Sequence, residues 1–167
     1  MKVKICKTEF LAELPKYATD GSAGMDLTAV SCKVDSVGNY VYGTGLSFAI
    51  PKGYVGLLFP RSSNTKKDLL MGNSVGVLDS DYRGEVTFKF RPISVMGRIR
   101  AKILRFLGFE DGYGRGDCSD TPMYGRYRVG ERIGQLVVVK IPMVEFVEMD
   151  ELDETERGTG GYGSTGV

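Results

Sequence analysis

Residues 75–90 read Val-Gly-Val-Leu-Asp-Ser-Asp-Tyr-Arg-Gly-Glu-Val-Thr-Phe-Lys-Phe. An apolar run, Val75 to Leu78, stops at the turn cluster Asp79-Ser80-Asp81; then Val86, Phe88 and Phe90 alternate with Glu85, Thr87 and Lys89. A period of two marks a strand with one buried face. The stretch predicts a β-hairpin whose tip carries Asp79, Asp81, Tyr82 and Arg83. Asp, Ser and Gly occupy turns for conformational reasons alone, so such a tip is either a solvated turn or a site. The rest of the chain decides between the two.

Outward from it, short runs of the same kind recur. Lys2 to Cys6 alternates, and Met25 to Val34 is strand-like after a polar loop from Tyr17 to Gly24. Tyr40 to Ile50 is rich in Val, Tyr and Phe, and Tyr54 to Phe59 runs into Pro60. Val137 to Met143 is an almost continuous apolar run, and Val144 to Met149 alternates. The 23 glycines are spread among these runs without a period. Short strands separated by Gly and Pro turns, with no βαβ alternation, indicate an all-β barrel or sandwich.

Two segments depart from that rhythm. In Met96 to Phe109, Ile99, Ile103, Phe106 and Leu107 form a helical stripe opposed by Arg98, Lys102 and Arg105. An amphipathic helix is expected there, with Gly108 as its C-cap. From Arg157 onward the chain is Gly-rich, has no core-forming pattern, and is expected to be mobile without ligand.

At 167 residues the chain is expected to be a single domain, 1–167, with a real core. A net charge of +1 supplies no electrostatic ground for stable binding to nucleic acid. No apolar run is long enough to span a bilayer, and Met1-Lys2-Val3-Lys4-Ile5 lacks the apolar centre of a signal peptide. Cys6, Cys32 and Cys118 are scattered and form no Cys-x-x-Cys pair. That argues against a disulfide framework or a zinc site and for a reducing compartment, the cytoplasm (or the host's cytoplasm for a viral protein). The chain has no histidine, which removes Ser-His-Asp and Cys-His catalysis and imidazole bases. The remaining inventory best supports a carboxylate base working with a hard, oxygen-liganded cation.

Two further stretches suit phosphate. Pro60-Arg61-Ser62-Ser63 follows an apolar strand. It offers hydroxyls and amides at a chain reversal, with Arg61 as counter-charge. In the tail, Gly158, Gly160 and Gly163 satisfy G-x-G-x-x-G. No strand precedes the motif closely and no helix can follow it at the chain end, so a dinucleotide fold is excluded. Successive glycines can instead form an anion nest, Arg157 adds a guanidinium fork, and Tyr162 offers a ring that can stack on a base.

Gly76-Val77-Leu78-Asp79-Ser80-Asp81-Tyr82-Arg83-Gly84 resembles the third of five motifs of the trimeric dUTP nucleotidohydrolases (dUTPases). The other four stand in the family's order. They are Ala23-Gly24-Met25-Asp26-Leu27, Pro60-Arg61-Ser62-Ser63, Gly130-Glu131-Arg132-Ile133-Gly134-Gln135-Leu136, and the run from Arg157 to Gly166. The resemblance implies a distorted jelly-roll β-barrel and Mg²⁺-dependent hydrolysis of dUTP to dUMP and pyrophosphate by attack of water on the α-phosphorus. That reaction controls the dUTP/dTTP balance and uracil incorporation into DNA. It implies Asp79 as general base and Tyr82 against the deoxyribose, leaving no room for a 2′-hydroxyl. The backbone of the Asn73 to Leu78 strand, Val77 included, reads the uracil edge. Arg61, Ser62, Ser63 and Gln135 fall on the phosphates, Arg132 on subunit contacts and site organisation, and Asp26 on waters around the Mg²⁺. Arg157, Gly160, Gly161, Tyr162, Ser164 and Thr165 belong to an arm, 157–167, that folds over the nucleotide, where the family usually has Phe in place of Tyr162. A homotrimer with shared sites is implied: the Asp79 hairpin from one chain, the Ser62 and Gln135 motifs from a second, the arm from a third.

Two features depart from the family pattern. Asn64-Thr65-Lys66-Lys67-Asp68 is a poor helix where the family commonly has one, and residues 92–127 form an insertion longer than the usual connection before the fourth motif. The insertion's apolar stripe is expected to pack on its own trimer, with a protein partner as the second option. Glu110, Asp111, Asp117 and Asp120 argue against a membrane or nucleic-acid anchor. Two rival readings follow: a dCTP deaminase of the same superfamily, which the Asp79/Tyr82 motif and Gly-rich tail disfavour, and a nucleotide-sensing regulatory protein acting through 92–127.

Overall fold

The computed structural model describes residues 1–107 and 125–161. In chain order its strands are β1 (Lys4–Lys7), β2 (Lys16–Tyr17), β3 (Met25–Thr28), β4 (Ser31–Val34), β5 (Tyr40–Gly43), β6 (Leu46–Ala49) and β7 (Tyr54–Pro60). A 3₁₀ turn (Ser62–Lys66) leads to β8 (Leu69–Met71), β9 (Gly76–Leu78) and β10 (Thr87–Pro92). Helix α1 (Val95–Phe106) and β11 (Arg132–Lys140) complete the set.

The alternation from Val86 through β10 sends Val86, Phe88, Phe90 and Pro92 inward and Thr87, Lys89 and Arg91 out. β10 pairs with β5 and β8 in a four-stranded sheet ordered β4-β5-β10-β8. A five-stranded sheet runs β2-β3-β11-β7-β9, and β1 pairs with β6. Pairing is antiparallel throughout. The two layers close over a core in which Tyr42, Phe90 and Tyr127 form an aromatic triangle with ring centroids 5.4–6.0 Å apart. This is the all-β, distorted jelly-roll barrel expected from the sequence.

Four local expectations are corrected. The hairpin at 75–90 does not form. β9 pairs with β7 and β10 with β5 and β8, so the two runs belong to opposite layers. The connection between them is longer than a hairpin turn. Its far end is held at the β5–β6 connection by Gly45 N donating to Glu85 Oε1 at 2.7 Å and Val86 N donating to Leu46 O at 2.8 Å. Similarly, Met25 to Val34 splits into β3 and β4, which lie in different sheets.

The second correction concerns α1. It packs through Gly97, Ala101 and Leu104, while Ile99, Ile103, Phe106 and Leu107 are exposed, Phe106 at 91%. Close approach decides the face. A Cβ on Gly97 would stand 2.4 Å from Asp68 Oδ2 and 3.0 Å from Pro92 Cβ, so only the small-residue side lets the helix lie on β10. Ser94 caps it by accepting from Gly97 N at 2.9 Å, and its C-cap is Leu107 rather than Gly108, which lies outside the described residues. Third, Val144 to Met149 forms no strand. The side chains from Ile141 to Leu152 are exposed, Phe146 at 93%. Fourth, Cys32 on β4 is disulfide-bonded, against the expectation that the scattered cysteines form no disulfide framework, whereas Cys6 is free.

Candidate active site

β11 lies between β3 and β7, and its Gln135 stands in register with Asp26 on one side and Phe59 on the other. Gly24 makes room for that side chain, since a Cβ there would meet Gln135 Oε1 at 2.7 Å. Gln135 Nε2 in turn reaches Pro60 O at 3.4 Å. Asp26 receives two guanidinium groups, Arg61 Nε at 2.7 Å on Oδ1 and Arg132 Nη1 at 3.0 Å on Oδ2. Residues from three separated stretches thus form one half-buried charged cluster. A cleft of about 470 Å³ beside it is lined by Arg61, Ser63, Lys66, Lys67, Tyr127 and Glu131 among others.

Glu131 and Arg132 do not pair with each other. Lys67 Nζ lies 3.0 Å from Glu131 Oε2, which also accepts from Arg128 N at 2.9 Å. Burial pushes the Glu131 carboxyl up, but the Arg128 amide and Lys67 outweigh it and hold the group below its ordinary range. Between Arg61 and β8 the chain makes the 3₁₀ turn Ser62–Lys66 where the sequence looked too poor for a helix. Tyr127, a residue the sequence reading left inside the insertion, closes the floor of the cleft. It is 3% exposed, donates to Asn64 Oδ1 at 3.1 Å, and has Lys67 Nζ 4.8 Å above its ring. Its only sequence signal was an isolated aromatic residue shortly before the fourth motif.

Asp79 is elsewhere. The register of β9 on β7 sets Leu78 against Gly56, so Asp79 follows beside Val55, whereas Arg61 leaves the other end of β7. Six residues of extended chain separate those levels, about 20 Å at about 3.3 Å per residue. Asp79 lines a second, larger cleft of about 920 Å³ together with Lys52, Tyr54, Ser80, Asp81 and Arg83. The Asp79 cleft and the Arg61 cleft share no lining residue. Near Asp79, Tyr82 folds back over Gly84, where a Cβ would be 2.4 Å from its hydroxyl, and donates to Glu85 O at 3.1 Å. Arg83 is occupied with the Ser80 and Tyr82 carbonyls.

β9 is an edge strand with Val77 exposed and Leu78 buried. Asn73 precedes it, outside the strand, in a turn that Ser74 completes at φ 58°. In the tail, Arg157 Nε donates to Gly160 O at 2.9 Å and Gly158 takes φ 50°. Gly161 is exposed; Tyr162, Ser164 and Thr165 lie outside the described residues. Among the described residues no group of three carboxylates or cysteines is placed to hold a metal ion. No described helix is long and apolar enough to cross a membrane.

The sequence model of the dUTPase family matches residues 11–94 and 125–166, passing over the inserted segment. A deoxyuridine 5′-triphosphate nucleotidohydrolase of Fusobacterium nucleatum is 38% identical over 170 residues, 99% of this chain and 97% of the relative. One from Corynebacterium diphtheriae is 37% identical over 156 residues, 92% of this chain and 86% of the relative. Among solved structures, the Staphylococcus bacteriophage 80alpha dUTPase with dUpNHpp aligns at a TM-score of 0.74 and 24% identity over 99% of both chains. The dUTPase of the Staphylococcus aureus phage phi11, described with a species-specific insert, aligns at 0.68 and 24% identity, covering 93% of this chain and all of that one.

Proposed function

The chain belongs to the dUTPase family, and on that premise we propose how its site hydrolyses dUTP to dUMP and pyrophosphate. The observation that carries the reading is the separation along β7. Asp79 and the Arg61/Gln135 cluster stand at opposite ends of one strand, about 20 Å apart. A base must lie within a water's reach of the α-phosphorus while the clamp holds the same triphosphate. One chain cannot do both across that span. A complete site takes Asp79 and Tyr82 from one subunit and Arg61, Ser62, Ser63 and Gln135 from a neighbour, in a homotrimer. The exposed apolar stretch from Ile141 to Leu152 is consistent with burial against other copies.

Uracil lies along β9, whose unpaired edge offers backbone donors and acceptors near Val77 and Leu78. Tyr82, pinned to the Glu85 carbonyl, sits against the deoxyribose. Asp79 orients a water, takes its proton as the new oxygen–phosphorus bond forms, and pyrophosphate leaves as the bond from the α-phosphorus to the bridging oxygen breaks. The phosphate oxygens are met by the Arg61 guanidinium and the Ser62, Ser63 and Gln135 side chains, with Arg132 keeping Asp26 in place. The Arg157 to Thr165 arm, Gly160, Gly161, Tyr162 and Ser164 included, closes over the nucleotide and excludes water.

Both Asp26 oxygens are engaged by arginines and no three-carboxylate cage exists among the described residues. This donor set fits a Mg²⁺ that arrives on the triphosphate and meets Asp26 only through water. Bound there, it would neutralise phosphate charge. The phage phi11 dUTPase is described with a structural Mg(II) ion. We place the reaction in the cytoplasm, with its nucleotide pool.

Subunit mixing tests the shared site. Asp79→Asn and Gln135→Ala homotrimers are each expected to be inactive. Dissociated and reassembled together, they should regain activity, because some hybrid sites receive both intact contributions. No recovery in verified hybrid trimers would show that each chain carries its own site.

A second reading concerns the insertion. The exposed face of α1, with Ile99, Ile103 and Phe106, favours a protein partner in addition to catalysis. The phage 80alpha dUTPase is described as controlling transfer of virulence genes by a proto-oncogenic G protein-like mechanism. Deamination of dCTP gains no support from the site.

A further inference from the structure

We propose that Tyr127 is a positioning residue for dUTP hydrolysis, its hydroxyl holding the 3₁₀ turn that carries Ser62 and Ser63 in register with the phosphates. The inference rests on the reading above, in which that turn clamps the triphosphate. The turn Ser62–Lys66 has no buried residue of its own. No apolar anchor therefore fixes it, and its place depends on polar contacts.

Those contacts converge on Asn64. Its Nδ2 donates to Leu69 O at 2.9 Å and its Oδ1 accepts from the Tyr127 hydroxyl at 3.1 Å. The backbone adds Asn64 N to Arg61 O and Lys67 N to Asn64 O, both 2.9 Å, which set the shape of the turn but not its position against the barrel. The Ser63 hydroxyl stands beside the same phenol.

Tyr127 is itself rigidly placed. Its ring meets Phe90 and Tyr42, and its carbonyl accepts from the Tyr42 hydroxyl at 3.0 Å. Burial raises the phenol above its ordinary range, so it stays protonated as a donor at working pH. Lys67 spans from the turn to the Arg126 carbonyl at 2.9 Å and to Glu131, so the residue at the turn's exit is tied to the same connecting segment that carries Tyr127. The phenolic hydroxyl thus links the polar turn directly to the aromatic core, beside the ties that Asn64 makes to Leu69 and Lys67 makes to Arg126 and Glu131.

Tyr127→Phe keeps the ring and removes only that hydroxyl. A misplacement of about 1 Å at a clamp costs about 100-fold, so kcat/KM for dUTP is expected to fall by about 10- to 100-fold. The thermal midpoint should drop by no more than about 4 °C, since one hydrogen bond at a half-exposed acceptor is lost. Asn64→Ala should reproduce the loss. The double variant should be no worse than the more impaired single one, because both remove the same link. Ser62→Ala, measured alongside, separates the two levels. If Ser62→Ala is impaired while Tyr127→Phe has wild-type kcat and KM, the positioning role is overturned and the clamp stands. If Ser62→Ala is fully active, the clamp reading itself fails. Additive losses in Tyr127→Phe and Asn64→Ala, or a large loss of stability in Tyr127→Phe, would also overturn the positioning role.

Discussion

At the scale of single residues, Asp26 shows why a motif carboxylate need not be a metal ligand. With guanidinium groups on both oxygens at 2.7 and 3.0 Å, it organises Arg61 and Arg132 through charge-assisted hydrogen bonds. Asp79 is the opposite case, an exposed carboxylate with no ion pair or side-chain hydrogen bond among the described residues. Asp79→Asn is expected to bind dUTP yet lose about 10²- to 10⁴-fold in kcat, the usual worth of a general base, while Asp81→Asn loses far less. Steady-state kinetics of the two variants check this. Glu131 gives a pH signature. Its carboxyl titrates below the ordinary 4.5 because the Arg128 amide and Lys67 outweigh burial. A lowered folded-state value means the unfolded chain takes up the proton first, so its stabilisation is complete above the unfolded value and disappears as pH falls through the folded one. Thermal midpoints of wild type and Glu131→Gln should therefore differ at neutral pH and converge in acid.

At the scale of elements, the insertion is tied down at its base. Ile93 N donates to Asp68 O and Asp68 N donates to Gly125 O, while Ser94 N and Oγ both donate to the Asp68 carboxylate. Its two ends thus meet at one residue, although Pro92 belongs to β10 and Tyr127 to the core. Replacing 95–124 by a short Gly-containing turn is expected to leave dUTP hydrolysis intact, measured as pyrophosphate release. A folded but inactive product would mean the insertion contributes to the site. Strand β11 depends on a small residue where it crosses the core, since a Cβ on Gly134 would fall 2.1 Å from Phe88 Cε1. Gly134→Ala should cost about 1–3 kcal/mol of overpacking, read as a lowered melting temperature, with Gly21→Ala as a surface contrast, since nothing lies within 4 Å of a Cβ there.

At the scale of the whole molecule, the barrel sets Asp79 and the Arg61/Gln135 cluster at opposite ends of β7. Apolar surface is left over on the stretch from Met143 to Leu152 and on α1, more than scattered exposed residues account for. In the proposed trimer, other copies would cover it. The Gly-rich arm adds no side chain to the core among its described residues. Deleting Gly158 to Val167 is expected to leave a trimer by light scattering but to depress kcat/KM strongly, because closure over the nucleotide is lost. A truncation with full activity would reduce the arm to a linker.

Much of this was legible in the residues themselves. Period-two alternation at 86–90 and Gly and Pro punctuation determined an all-β fold, and the lack of histidine excluded an imidazole base, because strand periodicity and the side-chain inventory are local properties. The motif residues Asp26, Arg61, Arg132 and Gln135 were legible as a group, and three strands in register do bring them together. Only the tertiary structure decided which sheet each run joined. β9 and β10 read as one hairpin, yet they part into opposite layers, since partner choice depends on distant strands such as β5 and β7. The buried face of α1 was settled in the same way: hydrophobicity marked the Ile99–Phe106 stripe, but the side turned to the barrel is that of Gly97, Ala101 and Leu104. Tyr127 stood out only as an isolated aromatic residue, because its contact is with Asn64, 63 positions away, and a contact of that range is written in the packing, not in the local sequence.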